Sequence, residues 1–155
     1  MRPISTDRPQ GFKTAPKAKK AKLPKGAVLI SIPLFGGTVV FVQSKADYDQ
    51  TLAALTNQPY KPDPDAIRMA GEATSLVSDE GARVYILGVF DNNLYTLVHE
   101  AAHCTFFLCD HIGIETRPGD ANETYCYLLD GIVQAAHAQM NPPEMVVEVQ
   151  EAAEE

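Results

Sequence analysis

Four short runs of the chain are rich in β-branched and other apolar residues, and short connections that contain glycine join them in pairs. Such runs are typical of β-strands, and a short glycine-containing connection between two of them predicts a hairpin. The runs are Ala27 to Pro33, Thr38 to Gln43, Glu72 to Val77 and Arg83 to Phe90. Two hairpins of this length predict one small, mostly antiparallel sheet.

Between and after the hairpins, apolar residues recur at the spacing of helices. Asp47 to Leu55 shows this spacing, as do the stretch from Leu94 to about Cys109 and the stretch from Pro118–Asp120 to about Gln139. Asn92 or Asn93 can cap the second of these helices. The whole pattern predicts an α+β fold in which the sheet packs on the two C-terminal helices.

The distribution of charge divides this chain of 155 residues into three parts. Residues 1–25 contain eight Lys or Arg and one acidic residue, whereas the remainder contains five basic and nineteen acidic residues. We therefore expect a basic arm at 1–25, one folded domain at 26–143 and an acidic tail at 144–155.

The arm has four prolines, a lysine-rich run at 17–20 and few large apolar residues, so we expect it to be disordered unless a partner holds it. One role for such an arm is to bind nucleic acid or an acidic surface of an assembly partner, because clustered lysines attract phosphates and carboxylates. The alternative is a solvated leader, or a segment that neutralises the acidic body of its own chain.

The chain has no apolar run near the roughly 18 residues that cross a bilayer, so we expect no membrane span. Its N-terminus lacks the apolar core of a secretory signal. The chain has three cysteines, an odd number that matches no disulfide framework and suits a reducing compartment. These observations predict a cytoplasmic or virion-associated protein.

The segment Thr96 to Cys104 contains the sequence His99-Glu100-Ala101-Ala102-His103. Residues four apart share one face of a helix, so His99 and His103 can offer two ring nitrogens to one zinc ion. Glu100, one position on, can take a proton from a water molecule activated at such a site. The alternative is a helix with two packed histidines and a surface glutamate.

Two histidines leave a catalytic zinc site one protein ligand short. A third histidine in the spacing His-Glu-x-x-His-x-x-Gly-x-x-His would need glycine at Phe106 and histidine at Cys109, and neither is present. Glu123, twenty positions beyond His103, is the carboxylate that the next helix can supply.

This arrangement resembles the thermolysin-type, or gluzincin, peptidases over about residues 94–131. The resemblance implies that His99 and His103 bind zinc, that Glu100 is the general base and that Glu123 is the third ligand. It also implies that the substrate is a peptide or a protein.

The chain departs from that family one helical turn after Glu123, where Tyr127 takes the place of an aspartate. Asp130 lies almost two turns after Glu123 and so shares its face of the helix. It is the candidate acceptor for the outer N–H of His99 or His103.

Other interpretations of these residues remain open. Glu123 also fits a capping box that begins at Asp120. Competing ligands by chemistry are Cys104, Cys109, Cys126 and His111, and weak candidates for stabilising an oxyanion are Tyr95, Tyr125, Tyr127 and His137.

The segments Val98 to His103, Gly113-Ile114 and Asn122 to Leu129 are also similar to small HExxH proteins encoded by tailed phages. That resemblance implies a protein of the virion or of its assembly, with a basic arm that threads across a neighbouring subunit.

We therefore expect a zinc metallopeptidase in which Glu100 activates the attacking water, with the strand from Arg83 to Phe90 at the sheet edge to pair with substrate. The alternative is a structural or assembly protein that retains a zinc site, its arm binding a partner chain or nucleic acid.

Overall fold

The computed structural model describes residues 22–32, 35, 37–59, 69–77, 81–117 and 122–141. Most of the predicted arm, the predicted acidic tail and the capping box proposed at Asp120 lie outside the described residues.

Four strands form one sheet in the described part of the chain. The first hairpin consists of β1 (Val28–Ser31) and β2 (Thr38–Val42), and helix α1 (Lys45–Thr56) follows it. The second hairpin consists of β3 (Gly71–Val77) and β4 (Arg83–Val89). The strand order is β1-β2-β4-β3. β1 pairs with β2 and β3 pairs with β4 in antiparallel fashion, whereas β2 and β4 are parallel. The predicted α+β class with a mostly antiparallel sheet is confirmed.

The prediction that the strand from Arg83 to Phe90 lies at the sheet edge is wrong. β4 is internal, because β2 pairs with one side of it and β3 with the other. Its side chains explain this position: Tyr85, Ile86 and Leu87 are fully buried, so consecutive residues on both faces of the strand are covered. Burial on both faces suits a central strand. The edge strand on this side is β3.

Helix α1 covers one face of the sheet. Ser44 caps its start by accepting a hydrogen bond from the Asp47 backbone N–H, at 3.1 Å. Tyr48 is fully buried against β2 and β4, and its hydroxyl donates to Thr74 Oγ1 of β3 at 2.7 Å. Leu23, which belongs to the predicted arm, packs against the same cluster. The packed body therefore reaches back at least to Leu23.

Two longer helices, α2 (Leu94–Ile112) and α3 (Asn122–Met140), cover the other face. The buried side of α2 presents Leu97, Ala101, Cys104 and Leu108 to the sheet at helical spacing. The helix runs slightly beyond the predicted end at Cys109 and stops at Gly113, whose φ of 72° suits glycine. No helix among the described residues is both long and apolar enough to span a bilayer.

Candidate metal site on helix α2

His99 and His103 lie together on the exposed side of α2. Their Nε2 atoms are 3.3 Å apart and their ring centroids are 5.0 Å apart. Two nitrogens bound to one zinc at 2.0–2.1 Å with a tetrahedral angle are separated by about 3.3–3.4 Å. The same distance suits a hydrogen bond between two neutral rings. The distance between the two Nε2 atoms therefore matches two corners of a tetrahedral zinc site.

Glu100 lies beside this pair but points to the interface between α2 and the edge strand β3. Only 9% of its surface is exposed. Burial raises the pKa of its carboxyl above the ordinary value, the His99 and His103 rings oppose that shift, and Glu72 adds to it. A carboxyl with a raised pKa, held next to two imidazoles, is typical of a group placed for proton transfer.

An open cleft of about 490 Å³ lies between the edge of the sheet and the side chains of His99 and Glu100. Its lining comes from Ala70, just before β3, from Gly71, the first residue of β3, and from the first turns of α2, including Tyr95, His99 and Glu100. The candidate base and one candidate ligand therefore open onto the same cleft, beside a strand that can accept another strand.

The chain enters α2 through a fixed turn. Asn93 Oδ1 accepts a hydrogen bond from the Tyr95 backbone N–H at 2.9 Å, as expected of a cap. Thr96 Oγ1 donates to Asp91 Oδ2 at 2.8 Å. Asp91 thus orients the first turn of the helix on which the site is built. This role of Asp91 was not predicted, although an aspartate just before a helix cap is a recognisable signal.

Glu123, the predicted third ligand, is exposed in the first turn of α3. The rings of Phe106 and Tyr125 are 4.8 Å apart, so this turn lies beside the turn of α2 that follows His103. Among the described residues, no three His, Cys, Asp or Glu side chains are close enough to hold a metal together. The structure therefore brings His99 and His103 together, and ligation by Glu123 stays a prediction.

Asp130 is exposed on α3, and its Oδ2 accepts a hydrogen bond from Gln134 Nε2 at 2.7 Å. Its hydrogen bond in this structure is therefore within α3. The predicted bond from a histidine ring to Asp130 stays a prediction.

The competing thiols fall into two environments. Cys104 is buried with its Sγ donating to the Ile86 carbonyl at 3.8 Å, and burial raises its pKa to about 12. Cys109 is also buried, which raises its pKa, whereas Cys126 is exposed. Because zinc binds the thiolate, the two buried cysteines are poor ligands in this fold.

The other candidate zinc ligand, His111, and the candidates for stabilising an oxyanion lie at separate places on the surface. His111 and His137 are exposed in the last turns of α2 and α3. Tyr127 lines a separate apolar groove between α3 and β1. Of the four candidates for stabilising an oxyanion, Tyr95 is the one that lines the cleft of Glu100.

Replacement of Glu123 tests the third ligand. We expect Glu123→Gln to lower zinc affinity by at least about tenfold, because an amide is a weaker zinc donor than a carboxylate. Cys126→Ser, on the next turn of the same helix, is the matched control and should leave the affinity unchanged. A competition titration with a chromophoric chelator measures both. Equal affinities in wild type and Glu123→Gln would remove Glu123 from the site.

Comparison of the chain with protein-family models, with curated proteins and with solved structures found no match. The candidate site therefore depends on the positions and chemistry of its own residues.

Proposed function

We propose that the protein is a zinc-dependent peptidase in which His99 and His103 bind the metal and Glu100 is the general base. The observation that carries the proposal is the pairing of two Nε2 atoms 3.3 Å apart with a buried carboxyl on the next residue, at a cleft. Glu123 remains the candidate for the third protein ligand.

Each group has a distinct task in this proposal. Bound zinc would lower the pKa of a water molecule and polarise the scissile carbonyl. Glu100 would accept the proton of the attacking water and return it to the departing amine. Tyr95 lies in the same cleft, where its hydroxyl can contact a bound peptide.

The strand that can pair with a substrate is β3, whose outer side has no strand partner among the described residues. The Phe90 backbone N–H donates to the Ala70 carbonyl at 2.7 Å, so Ala70 turns its carbonyl toward β4. Hydrogen-bonded and non-hydrogen-bonded pairs alternate in an antiparallel ladder. Gly71 and Ala73 therefore turn their backbone N–H and carbonyl groups outward, where an extended peptide can pair with them.

A second candidate function is that of an assembly protein, such as one of a phage virion, whose zinc site is completed by another chain. Large apolar side chains flank the histidine pair on the exposed side of α2: 47% of Leu94, 41% of Val98 and 48% of Phe106 are exposed. Exposed apolar patches of this kind are typical of protein contacts. A partner residue would then occupy the position that a peptidase leaves open for water.

The two functions differ in their activity with zinc bound. We expect the zinc-loaded protein to cleave members of a broad library of unstructured peptides, to lose that activity on chelation and to recover it when zinc is restored. Mass spectrometry of the products identifies the cleavage sites. Zinc-loaded protein that cleaves no peptide or protein in the library would contradict the peptidase and favour the assembly protein.

A further inference from the structure

Gly71, the first residue of the edge strand β3, lies very close to Glu100. A Cβ atom built on Gly71 would be 2.7 Å from Glu100 Cγ, 2.7 Å from Thr96 Cγ2 and 2.8 Å from the Gly88 carbonyl oxygen. Real Cβ atoms essentially never approach other heavy atoms this closely. At this point the sheet and α2 are therefore closer together than any side chain on the strand would permit.

We propose that Gly71 is a positioning residue that fixes the Glu100 side chain against β3, and this inference deepens the proposed role of Glu100 as general base. Because Gly71 has no side chain, the methylene groups of Glu100 can pack directly against the backbone of β3. The carboxyl is then held at the mouth of the cleft, beside His99. A glycine inside a strand often marks such a close approach.

The three neighbours of Gly71 differ in how far they can move. The Gly88 carbonyl belongs to β4, the internal strand of the sheet. Thr96 is tethered by its hydrogen bond to Asp91, at 2.8 Å. The Glu100 side chain, with its rotatable bonds, is the neighbour that yields most easily. An added methyl group at Gly71 should therefore displace the Glu100 side chain, and its contacts with the Gly88 carbonyl and Thr96 Cγ2 should also push the start of β3 away from α2.

The histidine pair should keep its geometry after this change, because the two rings contact each other on the exposed side of α2 and neither supplies one of the three atoms nearest to the added methyl group. A positioning role thus predicts separate effects on catalysis and on metal binding. If Gly71 served only to pack α2 on the sheet, a substitution would lower stability without a specific effect on Glu100.

Gly71→Ala tests the inference, and Gly131→Ala is the matched control, since a Cβ at Gly131 meets nothing within 4 Å. In metal-free wild type we expect a nuclear Overhauser effect between the Gly71 Hα and the Glu100 Hγ protons. In Gly71→Ala we expect a changed Glu100 rotamer in a crystal structure. Gly131→Ala should leave Glu100 in place.

The kinetic arm uses the same variants loaded with zinc. We expect Gly71→Ala to keep its zinc affinity and to lose about 10²-fold in kcat, the scale of a misplaced catalytic group. The double variant Gly71→Ala/Thr96→Ser, which removes one clashing methyl but keeps a hydroxyl for Asp91, should recover part of the loss. The recovery is measured relative to Thr96→Ser alone.

In a folded Gly71→Ala variant, two results would overturn the inference: an unmoved Glu100, or an unchanged kcat. If Gly71→Ala does not fold, absence of the Gly71–Glu100 contact in the wild-type spectra overturns it. The spectroscopic and crystallographic measurements do not depend on enzyme activity. They therefore test the inference even if wild type cleaves no peptide and the proposed function fails.

Discussion

Glu100→Gln is expected to retain its zinc and its fold and to lose about 10²- to 10⁴-fold in kcat, the usual contribution of a general base. The substitution replaces a carboxylate by an amide of nearly the same shape, so the contact with Gly71 is preserved. An amide cannot take a proton from water.

The control for Glu100→Gln is the same substitution at a glutamate that is far from the cleft. Glu115→Gln is suitable, since Glu115 is exposed and forms an ion pair with Arg117 at 3.1 Å. Stopped assays on the best peptide from the library, with zinc content measured on the same samples, give both quantities. Wild-type kcat in Glu100→Gln would remove Glu100 from the mechanism, and loss of zinc in that variant would make Glu100 a ligand.

The hairpins and helices could be predicted from the sequence because they are local. β-branched runs, glycine-containing connections and the asparagine before α2 each act within a few residues. The order of the strands could not, because β2 and β4 pair across α1 and β3. The signal that β4 is internal was present in its uninterrupted apolar run from Val84 to Leu87, which fits a strand covered on both faces.

The candidate site also combines local features, which the sequence predicts, with non-local features, which it does not. His99, Glu100 and His103 lie within one helical turn, so their spacing alone predicts the pairing of the two rings. The role of Gly71 was not predictable, since it arises where the edge strand meets α2, and a lone glycine at the start of a strand has many explanations. The position of Glu123 depends on how α3 packs on α2 and is likewise non-local.

The largest effect on metal binding is expected from the histidine pair. His99→Ala and His103→Ala should each lower zinc affinity by more than about 100-fold, beyond the 10- to 100-fold that loss of a ligand's outer hydrogen-bond partner costs. The Nε2 atoms, 3.3 Å apart, supply two donors to one ion, so either substitution leaves a single histidine at the site.

Wild type should bind about one zinc per chain, and its thermal midpoint should rise with zinc concentration, because a ligand that binds the folded state stabilises it. Neither alanine variant should show this rise. His111→Ala and His137→Ala are the matched controls, since both histidines are exposed in the last turns of their helices, and they should respond to zinc as wild type does. A full equivalent of tightly bound zinc in the double variant His99→Ala/His103→Ala would place the metal elsewhere, and the peptidase proposal would then fail with the site on which it depends.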